Sequence, residues 1–230
     1  MRKKVRATLS QLVRVPVAGG ALTGDLLVPA SARAVVLFAH GSGSSRHSPR
    51  NRMVAAELRT AGLATVLIDL LTEREERVDA VTAEHRFDIP LLGRRVAAAA
   101  DWLAAQPGTG TLPVVLFGAS TGAAAALVAA AERPDRVLTV VSRGGRPDLA
   151  ETALERVRVP VLLIVGGRDP EVLRLNREAA RRLRVPHSVH VVPGATHLFE
   201  EPGALEQVAE AVKEWCADCL QHVRQHTEES

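Results

Sequence analysis

Val114-Val115-Leu116-Phe117-Gly118-Ala119-Ser120-Thr121-Gly122 is the stretch that decides the fold. A continuous apolar run stops at a glycine. A single serine follows between small residues, and an alanine-rich run over 123–131 begins directly after it. The pattern reads as strand, sharp turn, helix, with the turn spelling G-x-S-x-G. Small neighbours let the backbone turn tightly and leave the Ser120 hydroxyl exposed at the corner. The first amides of the following helix have no partner inside it, so Thr121 brings a free N–H and a positive dipole end beside that oxygen. The plain alternative is an ordinary strand–helix corner that happens to contain a serine. The partners must decide.

Outward from this corner, apolar strand-like runs alternate with helical stretches. Residues 34–39, 64–69, 113–117, 137–141, 161–165 and 188–192 read as strands. Residues 51–60, 89–106, 171–183 and 203–225 read as helices, and 148–156 as a possible short one. Alternation of this kind predicts right-handed crossovers and a mostly parallel sheet with helices on both faces. Residues 9–17 and 21–28 flank Ala18-Gly19-Gly20 and predict an antiparallel hairpin added to that sheet. Residues 70–88 are charged and irregular and read as a surface excursion with a short helix. The fold class is therefore α/β. One domain over 1–230 is the economical reading, with 1–8 expected to be flexible.

Composition narrows the function. The chain has 230 residues, 47% hydrophobic and 24% charged, with a formal net charge of +3. Aromatic residues make up only 3%, which argues against base-stacking nucleic-acid recognition. The basic cluster Arg2-Lys3-Lys4-Val5-Arg6 reads as a solvated end rather than a lipid or nucleic-acid contact. No apolar run follows it as in a secretory signal, and no segment reaches about 18 apolar residues, so neither a leader nor a membrane span is expected. Cys216 and Cys219 form a lone C-x-x-C inside a helical pattern, read as helix-face residues. Together these point to a cytoplasmic location.

A serine hydroxyl needs a base, and the base needs an orienting carboxylate. In an open parallel sheet such groups gather at the carboxyl ends of strands. After 161–165 comes Gly166-Gly167-Arg168-Asp169-Pro170. Asp169 can be the acid, or simply the N-cap of the next helix. After 188–192 comes Pro193-Gly194-Ala195-Thr196-His197, and His197 can reach the strand ends where His187 and His190 cannot. The order Ser120, Asp169, His197 differs from those of chymotrypsin and subtilisin. Asp148 is a reserve acid, and Asp69 reads as a loop brace. The loop His40-Gly41-Ser42-Gly43 would supply an oxyanion donor, Ser42 N–H first and Gly43 second, to act with Thr121 N–H. His40 would brace that loop. Arg46, Arg50 and Arg143, with Arg146, could make a cationic rim selecting anionic substrates, or be plain surface arginines. No metal or cofactor enters this reading.

These four motifs resemble the α/β-hydrolase superfamily, and over about residues 20–220 the chain is similar to its dienelactone-hydrolase-like branch. Dienelactone hydrolases themselves use a cysteine where this chain has Ser120. The resemblance implies hydrolysis of small carboxylic esters or thioesters through an acyl-enzyme. Only residues 142–160 are available for a cap, so an open site is expected. Two rivals remain: a non-catalytic interaction module on the same fold, and acyl transfer to an acceptor other than water.

Overall fold

The structure is a computed structural model and describes residues 7–228. The basic cluster at 2–6 lies outside them. Eight strands form one sheet in the order β1-β2-β4-β3-β5-β6-β7-β8. Strands β3 (Val35–Ala39), β4 (Ala64–Ile68), β5 (Val114–Ala119), β6 (Val137–Arg143), β7 (Val161–Gly166) and β8 (His187–Val192) run parallel to one another. The hairpin β1 (Ala7–Val17) and β2 (Gly20–Pro29) joins antiparallel through β2 against β4. Its turn is tight because Gly19 takes a left-handed φ of 85°.

The period-2 alternation of the central strands sorts their side chains onto two faces. Val35, Leu37, Val114, Leu116, Val161 and Leu163 point to one core, shared with α3 (Ile89–Ala104), α4 (Thr121–Glu132) and α5 (Pro170–Arg182). Val36, Phe38, Val115, Phe117, Leu162 and Ile164 point to the other, under α1 (Pro49–Thr60) and α6 (Ala204–Glu228). Phe38 and Phe117 stack on adjacent strands there, with centroids 4.7 Å apart. Both faces are covered, which is why these strands read as unbroken apolar runs.

Helix α4 is buried along nearly its whole length, so small residues are required around it. A Cβ on Gly93 of α3 would lie 2.5 Å from Val128 Cγ1. That is the closeness of the α3–α4 crossing.

Residues 70–88 hold α2 (Glu73–Thr82), closed at its start by a reciprocal Thr72–Glu75 capping box. Residues 147–156 differ from a cap. They form a 3-10 segment (Pro147–Arg156), broken at Glu151, where φ is 47°. Its Ala150, Ala153 and Leu154 are buried in the α3–α4–α5 core, so it packs on the flank of the sheet rather than over the strand ends. Among the described residues no helix is long and apolar enough to cross a membrane. The two cysteines are free and lie on α6, with Cys216 buried and Cys219 half-buried. Burial pushes the Cys216 thiol up to about 12, which leaves almost no thiolate at neutral pH.

Candidate active site

The corner after β5 places Ser120 at φ 51°, ψ −122°, outside the regions a serine ordinarily occupies. The strain falls on the serine itself; its flanking glycines have another purpose. A Cβ on Gly118 would sit 2.3 Å from Ala123 Cα, and one on Gly122 would sit 2.3 Å from Ala39 O. Both are needed so that α4 can fold back under β5 and press against the end of β3. Ser120 is held from both sides. Its N–H donates to Arg143 O at 3.3 Å, and its carbonyl accepts from Ala123 N–H and Arg146 N–H at 3.1 Å each.

Two other loops meet at this end of the sheet. Asp169 begins α5, and its Oδ1 accepts from Val172 N–H at 3.4 Å. Its other oxygen, Oδ2, accepts from His197 Nδ1 at 2.7 Å. The two roles weighed for Asp169 thus use different oxygens of one carboxylate. The His197 loop is fastened to the Asp169 loop by backbone bonds: Gly167 N–H to Val192 O and Arg168 N–H to Ala195 O, both 2.9 Å. Gly166 permits this, since a Cβ there would lie 2.4 Å from Ala195 O. Asp148 is bound by Arg146 at 2.7 Å, which removes it as the partner of His197.

Ser120 and His197 line one cavity of about 250 Å³, with Gly41, Ser42, Arg50 and Arg143 also on its walls. Among the described residues no hydrogen bond joins the Ser120 hydroxyl to His197; such bonds are often long without substrate. Ser42 N–H donates to Thr121 Oγ1 at 2.8 Å. The amide chosen from sequence therefore faces the hydroxyl of the residue after Ser120. His40 is buried and neutral in its bonding. Its Nδ1 donates to Gly41 O at 2.9 Å, and its Nε2 accepts from Leu70 N–H at 3.1 Å. It braces β3 against the chain leaving β4, and burial lowers its pKa below the ordinary value.

The arginines expected on one rim separate. Arg46 does not line the cavity with Ser120. Its N–H donates to Asp69 Oδ1 at 2.8 Å, its guanidinium pairs with Asp69 Oδ2, and Asp25 lies 3.7 Å away. Asp69 and Asp25 sit on neighbouring strands or their ends and draw this arginine toward the β2–β4 side. Arg146 is occupied by Asp148. Arg50 and Arg143 do reach the cavity. Arg143 was expected in a loop, but β6 continues two residues further than the apolar run and carries it into the sheet. Sequence reasoning missed Asn51 and Phe199, the two side chains that hold Arg143 from beneath. The residue pattern gives no sign of either contact. Among the described residues no three His, Cys, Asp or Glu side chains converge as metal ligands would.

Residues 22–227 match the Dienelactone hydrolase family along nearly the whole chain. The chain belongs to the dienelactone hydrolase family. A crystal structure of a dienelactone hydrolase from Anabaena variabilis superposes with a TM-score of 0.88 at 56% identity, covering 90% of this chain and 96% of that one. The esterase Est1E from Butyrivibrio proteoclasticus shares the fold at a TM-score of 0.76 and 17% identity, covering 91% of this chain and 99% of that one. A "Putative phosphoribosyl transferase" of Mycobacterium tuberculosis is 57% identical over 206 residues, 90% of this chain but 44% of that protein. The chain thus spans less than half the length of the curated relatives it matches. Family membership makes the α/β-hydrolase architecture of the sheet and its corner an expected inheritance.

Proposed function

We propose that this dienelactone hydrolase family member is a serine hydrolase that cleaves carboxylic esters or thioesters of small substrates through an acyl-enzyme. The observation that carries the reading is the 2.7 Å bond from His197 Nδ1 to Asp169 Oδ2, with His197 opening on the same cavity as the strained Ser120. In this reading Ser120 Oγ attacks the carbonyl carbon. His197 Nε2 takes the hydroxyl proton and returns it to the departing alcohol or thiol. Asp169 holds Nδ1 protonated and stabilises the imidazolium. A water then repeats the sequence on the acyl-serine and regenerates the enzyme. The oxyanion is held by Thr121 N–H and by Ser42 N–H, which turns from the Thr121 hydroxyl toward the developing charge. A cavity of about 250 Å³ with no overlying helix suits short substrates and fits poorly with long acyl chains.

The phosphoribosyl transferase name belongs to a protein more than half of which lies outside the match, and nothing in the Ser120 cavity favours that chemistry over ester cleavage. Ser120→Ala should lower hydrolysis of p-nitrophenyl acetate by roughly 10⁴-fold or more while the far-ultraviolet circular dichroism stays unchanged. A fluorophosphonate probe should label the native protein at Ser120 and leave the variant bare. Retained turnover in Ser120→Ala sinks the assignment of Ser120 as nucleophile; a native serine that stays unlabelled sinks it too and favours an interaction module.

A further inference from the structure

Backbone strain of the kind found at Ser120 persists only where the surroundings hold it. From outside α4, the hold comes from one short segment, 143–146. Arg143 O accepts the Ser120 N–H at 3.3 Å, and Arg146 N–H donates to Ser120 O at 3.1 Å. The segment is itself anchored. Gly144 N–H donates to Ile164 O at 2.8 Å. Gly145 is pressed against its neighbours, since a Cβ on it would sit 2.0 Å from Ser142 Oγ and 2.5 Å from Ala123 Cβ. Asn176 then reaches across from α5. Its Nδ2 donates to Gly145 O at 3.0 Å and to Val172 O at 2.7 Å. Asn176 is wholly buried, at 0% exposure, and its Oδ1 has no hydrogen-bond partner. A leucine would fill such a place in a helix without an orphaned acceptor, so packing alone does not account for the amide. Its two donors do.

Gly145 O and Arg146 N–H belong to one planar peptide group. Asn176 grips the carbonyl end of that plane, and Ser120 O takes the N–H end. Val172, the other acceptor, is the residue whose own N–H donates to Asp169 Oδ1 at 3.4 Å. One buried amide therefore touches both the peptide behind Ser120 and the first turn of the helix that Asp169 begins. We propose that Asn176 is a positioning residue that ties the Ser120 corner to the Asp169 helix through the Gly145–Arg146 peptide. This rests on the hydrolase reading of Ser120, Asp169 and His197. Asn176 acts through the backbone behind the corner, so its effect falls on the attack by Ser120 and not on substrate binding.

Asn176→Leu nearly keeps the volume and removes both donors. In stopped-flow acylation by p-nitrophenyl acetate, the maximal rate of p-nitrophenol release should fall about tenfold or more, because small misplacements of a nucleophile are costly. The half-saturating ester concentration should stay within about twofold of the native one, as expected when binding is untouched. Should Asn176→Leu fail to fold, Asn176→Ala removes the same donors, favours the helix and is read in its place. Ala179→Gly is the control: it loosens the same helix at a buried position and removes no side-chain donor. An unchanged acylation rate in the Asn176 variant overturns the proposal, and so does an equal loss in Ala179→Gly at a matched drop in Tm. Amide exchange supplies an arm that needs no chemistry. The Arg146 N–H should exchange about tenfold faster or more in the Asn176 variant while the β5 amides keep their native rates. Unchanged exchange at Arg146 overturns the tie even where esters are cleaved. Faster exchange there, beside a native protein that cleaves no ester, keeps the tie and discards the hydrolase.

Discussion

Arg46 and Arg143 look alike in the sequence, each beside a glycine-rich loop after a central strand, and the fold treats them in opposite ways. Arg46 is surrounded by acceptors. Asp69 takes both its amide and its guanidinium, and Asp25 stands near, itself held by Arg52 at 3.0 Å. Arg143 has one amide oxygen and an aromatic face. The first is a neutralised cluster that ties β2, β4 and the loop after β3 together. The second is a charge left open toward the cavity that holds Ser120. Two carboxylates beside Arg46 make it a structural part even though its Nε keeps no hydrogen-bond partner; Arg143 is more deeply buried and, among the described residues, has no carboxylate beside it.

The comparison can be broken most forcefully at Asp69. Asp69→Ala leaves the Arg46 amide and guanidinium without their main acceptor and should cost about 2–3 kcal/mol, read as a lower urea midpoint. A loss below about 0.5 kcal/mol would mean that the Arg46 cluster is no more structural than the Arg143 one. Asn51→Asp makes the opposite change and gives Arg143 a carboxylate like the one Arg46 has. It should raise stability by about 1.5 kcal/mol in thermal melts, the lower end of the net gain from a hydrogen bond between charged groups. A destabilised Asn51→Asp would show that Arg143 does not suffer from its lack of a counter-ion.

His40 offers a smaller test, by pH, of the loop that separates the two arginines. Its folded pKa is lowered by burial, so below the ordinary value near 6.5 the unfolded chain takes up a proton that the folded one refuses. Its contribution is complete above that value and is lost as pH falls below it toward the lowered folded pKa. Replacing it in His40→Gln should flatten that part of the stability profile; an unchanged slope would assign the acid sensitivity to other groups. The smallest effect belongs to Glu200, more than half exposed, whose pairing with Arg50 is a surface contact. Glu200→Gln should change stability by less than about 0.5 kcal/mol. A larger loss would make Arg50 a structural arginine like Arg46.

The strands, the corner at Ser120 and the loops that carry the three candidate residues were legible because they depend on local patterns: apolar runs, a serine between glycines, loops that follow strands. Asp169 and His197 could be paired by topology alone, since both follow strands at one end of the sheet. The fates of the arginines could not. Arg46 finds Asp25 only because β2 lies next to β4, and Arg143 is buried only because β6 runs on past its apolar stretch and Phe199 closes beneath it. The engagement of Ser42 N–H by the Thr121 hydroxyl is likewise a contact between loops that no spacing announces. Residues 147–156 form the short helical segment expected, but where it packs could not be read from the sequence. Whether a short helix covers a site or lines a flank depends on where its few apolar side chains find a surface.

Ser120 sits on the middle of the sheet, whereas Asp169 and His197 hang from β7 and β8, and β8 is one of the two edge strands, with His187 and Ser188 open to solvent. The parts of the site therefore belong to regions of unequal resistance to exchange with solvent. Fraying that starts at the β8 margin would carry His197 off while α4 still grips Ser120. If the proposed mechanism holds, activity would fade on warming ahead of the sheet and return on cooling, and this edge strand would act as a reversible fuse.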